Sequence, residues 1–167
     1  QMEKWDLLMV AHPPCTRLCN SGVRWLHKAP PGKTIKQMWQ ELDEGASLFS
    51  DLWNADVPRI AVENPVMHKY AKERIVNFQE FSQSIQPWQF GTDVDGPDNV
   101  SKRTCLWLKN LPKLVATGNL DGSNARNDIH MASPGPNRWK VRSKFFPGIA
   151  KAMATQWGGY ALNNLAA

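Results

Sequence analysis

The chain has 167 residues, 42% hydrophobic and 21% charged, which is enough apolar material for one core and excludes global disorder. No apolar run reaches the roughly 20 residues that cross a bilayer, and residues 1–11 lack the basic-then-apolar layout of a signal peptide, so neither membrane insertion nor secretion is expected. Three cysteines cannot build a disulfide framework; reduced thiols in a cytoplasm-like compartment fit better. Gln rather than Met at position 1 is what a processed, trimmed or partial chain shows. The net charge of +5 is unevenly spread. Residues 1–100 hold 10 Lys/Arg against 13 Asp/Glu, whereas residues 101–167 hold 10 Lys/Arg against only Asp121 and Asp128. A basic C-terminal third on a mildly acidic body suggests a surface for a polyanion, with nucleic acid the default.

In chain order, Trp5 to Ala11 is an apolar run stopped by His12-Pro13-Pro14, which predicts a buried strand of a parallel sheet. Pro30 to Lys33 is a loop, and Thr34-Ile35-Lys36-Gln37 fits a capping box. Ile35, Met38, Trp39, Leu42, Ala46, Phe49, Leu52 and Trp53 then fall three or four apart, the apolar face of a helix over about 35–54. Pro58 to Asn64 reads as a second strand, stopped at Asn64-Pro65. Strand, helix, strand predicts a βαβ unit with parallel neighbouring strands. Residues 66–75 read as a short helix. Gln86 to Phe90 and Thr104 to Leu108 read as further strands around a Gly/Asp-rich turn, and residues 110–137 as a long surface loop. Pro147 opens a last helix with Ile149, Met153 and Trp157 at spacing four, closed by Gly158-Gly159.

In an α/β sheet the loops at the C-terminal strand ends carry the chemistry. Here those loops are His12-Pro13-Pro14-Cys15-Thr16 and Glu63-Asn64-Pro65. Adjacent parallel strands would bring Cys15 and Glu63 to one edge. A thiol beside a carboxyl suits attack on an electron-poor ring, the thiolate adding to carbon while the acid meets the ring nitrogen. Cations such as Arg17, Arg24 or Lys102 are available to favour the thiolate.

The stretches Asp6-Leu7-Leu8, Pro13-Pro14-Cys15 and Ala61-Val62-Glu63-Asn64 resemble the Pro-Cys loop and Glu-Asn strand end of DNA (cytosine-5) methyltransferases. His12 to Thr16, Ser21 to Leu26, Val62 to His68 and Gln86 to Gly91 further resemble small methyltransferase-like proteins of bacteriophages and prophages. The resemblance implies a single α/β domain over 1–167 with a three-layer, Rossmann-like, mainly parallel sheet, in which a loop at about 110–140 replaces the target-recognition domain. It implies that Cys15 adds to C6 of cytosine in DNA, and that Glu63 binds the N3/N4 edge. Pro14, Thr16, Asn64, Lys102 and Arg103 would line the substrate, S-adenosylmethionine would be the methyl donor, and the setting would be the cytoplasm of a bacterial host cell. Thr16 stands where that family usually has Gln, and Ser101-Lys102-Arg103 matches its Gln-x-Arg-x-Arg segment only in part. No Phe-x-Gly-x-Gly turn for the donor is present, which puts the cofactor in doubt and leaves room for a second chain that supplies it.

Arg138-Trp139-Lys140-Val141-Arg142-Ser143-Lys144 interleaves cations with an aromatic ring, as phosphate-and-base contact surfaces do, so Arg138, Trp139, Lys140, Arg142 and Lys144 are candidate nucleic-acid contacts. Trp25 and Trp88, near the proposed loops, are candidates for stacking on a base. His12, Cys15 and Cys19 form a weaker zinc alternative whose spacing matches no common module. Two readings stand beside the methyltransferase-like enzyme: a nucleic-acid-binding or partner subunit without its own cofactor, and a pyrimidine-modifying enzyme with another donor.

Overall fold

The structure, a computed structural model, describes residues 9–131, 143 and 145–164. It is mixed α/β. Strand β1 (Met9–Ala11) lies parallel to β2 (Ile60–Asn64), with Met9 opposite Ile60, Val10 opposite Ala61 and Ala11 opposite Val62. Between them runs helix α1 (Ile35–Trp53), so the expected βαβ unit is present. Positions 5–8 of the expected first strand lie outside the described residues.

Helix α1 starts where the sequence places it. Thr34 Oγ1 accepts from Gln37 N–H at 3.2 Å, and Gln37 Oε1 accepts from Thr34 N–H at 2.8 Å, so two amides without intrahelical partners are satisfied reciprocally. From there Met38, Leu42, Ala46, Phe49 and Trp53 bury one face against Leu18, Ile60, Val62 and Trp107. Phe49 meets the Trp107 ring edge-on, centroids 5.3 Å apart, and Trp107 Nε1 donates to Gln79 O at 2.8 Å, so this buried ring keeps its one polar atom bonded.

Further along come α2 (Lys69–Lys72), β3 (Gln83–Ile85) and β4 (Thr104–Lys109). Strand β4 runs antiparallel to β2, with Ile60 opposite Lys109 and Asn64 opposite Cys105. The four-stranded sheet has the order β1-β2-β4-β3 and is therefore mixed. Within this fold Gln1–Gln83 with Thr104–Leu111 form one compact unit, and Ser84–Arg103 with Pro112–Ala167 form a second.

In the second unit the expected strand at Gln86 to Phe90 is instead a 3-10 turn, Pro87–Phe90. Pro87 occupies its first position, where its fixed φ and missing N–H favour a helical start, and Gln89 Oε1 accepts from Gln86 N–H at 2.7 Å. Residues 111–127 lack regular helix or strand, as the loop reading has it, before the short α3 (Asp128–Met131). The expected stop at Gly158-Gly159 is also corrected. Helix α4 (Pro147–Ala152) widens into a π-helical segment, Met153–Gly158, and continues as α5 (Gly159–Asn163). Gly158 and Gly159 have φ of −61° and −60°, so neither makes the left-handed cap by which glycine ends a helix. Trp157, fully buried there, donates from Nε1 to Pro112 O at 2.8 Å, and Gln156 exchanges two hydrogen bonds of 2.9 Å with the backbone of Val115.

Urea unfolding should rank two α1 substitutions. Thr34→Ala, which removes only the cap, should cost about 1 kcal/mol. Phe49→Ala, which empties the space against Trp107, should cost about 3–5 kcal/mol. Equal costs would contradict a helix held mainly by its buried face.

Candidate active site

The site grows from the register of β1 and β2. With Ala11 opposite Val62, the next residues of the two strands meet in turn. His12 Nδ1 lies 3.2 Å from Glu63 Oε2, and Asn64 Nδ2 donates to Pro13 O at 3.1 Å. Asn64 is fully buried, and its Oδ1 is buried without a hydrogen-bond partner among the described residues. The sequence places Cys15 and Glu63 at one sheet edge, and the parallel pairing brings their two loops together there.

Cys15 opens a tight turn: its carbonyl accepts from Leu18 N–H at 3.0 Å and Cys19 N–H at 3.1 Å. Pro13 is buried, Pro14 and Thr16 are exposed, and Cys15 is half-buried. Behind the turn the chain runs antiparallel to the segment leaving β2. Asn20 N–H donates to Val66 O and His68 N–H to Leu18 O, each at 3.1 Å, with Cys19 opposite Met67. His68 closes this clamp. Its Nδ1 accepts from Ala71 N–H at 3.2 Å, capping α2, so the ring proton is on Nε2, which donates to Arg17 O at 2.7 Å. His68 is a positioning residue, a role not foreseen for it from the sequence; its signal was a His directly before a helical run.

A short 3-10 helix, Asn20–Leu26, packs on the same turn. Gly22 makes this possible: a Cβ at that position would stand 2.4 Å from Thr16 O. Of the cations proposed to favour the thiolate, Arg17 donates from Nε to Glu41 Oε2 at 2.6 Å, and Arg24 stacks 4.3 Å above the ring of half-buried Trp25. Glu41 also accepts from Lys33 Nζ. The Lys33 hydrogen bond, followed by that of Arg17, holds its carboxyl below the ordinary range against the opposing effect of burial.

Lys102 and Arg103 belong to the second unit. Gln86 Oε1 accepts from Lys102 N–H at 2.9 Å, Lys102 Nζ sits 5.7 Å above the Phe146 ring, and Arg103 Nε donates to Ser84 Oγ at 3.1 Å. Trp88, in the same unit, packs against Gly122, whose φ of +81° suits glycine and whose added Cβ would stand 2.7 Å from the ring. Arg138, Trp139, Lys140, Arg142 and Lys144 lie outside the described residues. Cys19 is buried with Sγ 3.1 Å from Ser21 Oγ, and among the described residues no group of three or more His, Cys, Asp or Glu side chains could hold a metal ion. Nor is any helix, among the described residues, long and apolar enough to cross a membrane.

Comparison with known proteins adds nothing to this geometry: no family model, no curated protein and no solved structure matches the chain.

Two substitutions test the construction of the site. Gly22→Ala must displace the Thr16 backbone and should lower stability by about 1–3 kcal/mol in a denaturant titration. Glu41→Gln should destabilise at neutral pH. Because the folded carboxyl is held below its ordinary value, the charged partnership is complete above that value and is lost as pH falls through the folded pKa. The difference between wild type and variant should therefore shrink as pH falls below the ordinary carboxylate range and vanish only below the folded pKa. A pH-independent difference would mean that Glu41 acts through packing and not through charge.

Proposed function

We propose that the chain acts on cytosine in DNA in the manner of the DNA (cytosine-5) methyltransferases its motifs resemble. The observation that carries this reading is the parallel β1–β2 register, with its two cross-links from His12 to Glu63 and from Asn64 to Pro13. A nucleophile on one loop and a carboxyl on the next, both at the C-terminal edge of a βαβ unit, is the arrangement that attack on a pyrimidine needs. In this reading the unit is part of a Rossmann-like, three-layer and mainly parallel sheet, from which antiparallel β4 is a departure.

The Cys15 thiolate bonds to C6 of the ring, and the C5–C6 π pair moves to C5. Glu63 meets the N3/N4 edge, which gains electron density as the adduct forms. Exposed Pro14 and Thr16 shape the entrance, and buried Asn64 holds the Pro13 carbonyl behind it. The base leaves the duplex stack to reach the loop, and the cations of the C-terminal third, Lys102 and Arg103 among them, hold the phosphates.

The residues around this edge do not fit S-adenosylmethionine. The turn after β1 is stiffened by Pro13 and Pro14 and the turn after β2 by Pro65; prolines bring no N–H, where a methionine carboxylate and a ribose need open backbone donors and close approach. No step is therefore derived through that group; a partner chain that brings the donor belongs to the same proposal.

The test needs no methyl donor. A pool of random-sequence duplexes in which 2-pyrimidinone, a ring more electrophilic at C6, replaces cytosine should form an SDS-stable adduct with the chain. Mass spectrometry should place it on Cys15, and Cys15→Ser should abolish it without weakening DNA binding. DNA binding without any adduct would replace this reading with that of a nucleic-acid-binding subunit.

A further inference from the structure

Residues 1–100 carry more acids than bases, yet two segments of them do the opposite: residues 24–28 and 68–74 together hold Arg24, Lys28, Lys69, Lys72 and Arg74 against Glu73 alone. Each segment interleaves these cations with rings, Trp25 and His27 in the first and His68 and Tyr70 in the second. Far apart in the chain, the two segments meet on the first unit at Trp39 of α1. The His27 ring lies 5.8 Å from that of Tyr70 and 6.4 Å from that of Trp39, and Trp39 lies 5.2 Å from Tyr70, all edge-on. His27 is exposed, and Trp39 and Tyr70 are half-buried, so this triangle of rings reaches the surface.

The rings hold cations in place. Lys69 Nζ stands 4.9 Å from the centre of the Tyr70 ring, Arg74 Cζ 4.9 Å from that of Trp39, and Arg24 Cζ 4.3 Å from that of Trp25. Arg24 O accepts from His27 N–H at 3.2 Å and Lys28 N–H at 3.0 Å, which keeps residues 24–28 in one turn. Arg74 is paired with Asp43 and Lys72 with Glu80, whereas exposed Arg24, Lys28 and Lys69 make no ion pair among the described residues. Positive charge that meets no acid within the fold, and that cation–π contact restrains, is set for an outside anion at a low cost in side-chain entropy. The patch also adjoins the site loop. His68, whose ring lies 5.9 Å from that of Tyr70, donates through its backbone N–H to Leu18 O and through Nε2 to Arg17 O.

We propose that this face of the first unit binds the sugar-phosphate backbone of nucleic acid, with Arg24, Lys28 and Lys69 on phosphates and the exposed His27 ring against sugar or base. Two chemistries together select the partner. Lysines alone would serve any anion, whereas cations set among rings match a polymer that alternates phosphates with π-faced bases. An acidic protein offers the first and not the second. The inference rests on the reading of DNA as the substrate and deepens it. To Lys102 and Arg103 of the second unit it adds a set of cations carried by the same unit as Cys15. Contacts of this kind carry no sequence information; they fix the register of the strand on the protein, here relative to the loop that takes the base.

The experiment follows binding of a fluorescein-labelled random-sequence duplex by anisotropy between about 50 and 200 mM salt, with Cys15→Ser as the parent so that no adduct forms. Each phosphate contact contributes about 0.9 to the slope of log K against log salt, so adding Arg24→Gln, Lys28→Gln and Lys69→Gln should flatten the slope by about 2.7. Over that range the parent should then lose about 40-fold more affinity than the variant. Lys69→Gln alone should show about a third of the change in slope, and it decides if the combined variant loses its circular dichroism spectrum. An unchanged slope, or a parent that does not bind the duplex, would overturn the proposal. Poly-L-glutamate in place of the duplex should bind at least about tenfold more weakly; equal binding would make this a surface for acidic proteins and overturn the nucleic-acid partner. The 2-pyrimidinone adduct separates this from the function proposed above. A slope that flattens in a chain forming no adduct keeps the surface and removes the pyrimidine chemistry; an adduct with an unchanged slope does the reverse.

Discussion

Parallel strands cannot be joined by a tight turn, so β1 and β2 become neighbours only if something covers the distance between their opposite ends. Here that is α1, whose buried residues serve both as the crossover and as the lid on the strands' apolar side chains. The packing of this connection against the strands holds the register in which they pair, and the consequences continue past the strand ends. Once Ala11 faces Val62, His12 can only meet Glu63 and Pro13 can only meet Asn64. A one-residue slip would turn every side chain to the other face, taking Ile60 and Val62 out of the core along with the site.

Polar groups then finish what the apolar core begins. Asn64 is the clearest instance: a fully buried amide bonded to the proline carbonyl of the neighbouring loop, retained although its own oxygen goes without a partner among the described residues. Leaving such an acceptor unsatisfied costs about 1–3 kcal/mol, so the bond it makes on its other side fixes a loop at the expense of stability. His68 does the same from the far side of the turn without that cost, since both ring nitrogens are used. Cys15 therefore sits in a segment whose backbone is tied at both ends, at Pro13 by Asn64 and at Arg17 by His68, as the proposed nucleophile would need.

How much of this was legible in the sequence depends on the range of the forces involved. Thr34 with Gln37, and the spacing from Met38 to Trp53, speak of interactions within a few residues, and the helix stands where they put it. Asn64-Pro65 ended a strand for a local reason too. Gln86 to Phe90 misled because its aromatic and apolar residues resemble a strand, whereas Pro87 and the Gln86–Gln89 pair favour a helical turn. Gly158-Gly159 misled in the opposite sense: glycine permits a left-handed stop without requiring one, and buried Trp157 holds the helix past it. The meeting of the two site loops could be foreseen from the βαβ pattern. That His12 is the residue facing Glu63 could not, because strand register is a property of packing that no short stretch contains.

The bonds from His12 to Glu63, from Asn64 to Pro13 and from His68 to Arg17 all join residues 51 apart. These contacts tie the Cys15 loop to a distant segment, so any chemistry of that thiol would belong to the folded unit and not to the peptide that carries it. During synthesis the loop leaves the ribosome long before its partners, and until residue 68 has followed and the crossover has closed, the loop lacks these contacts. If Cys15 is the nucleophile proposed above, the long-range order of the fold would act as a delay on its reactivity.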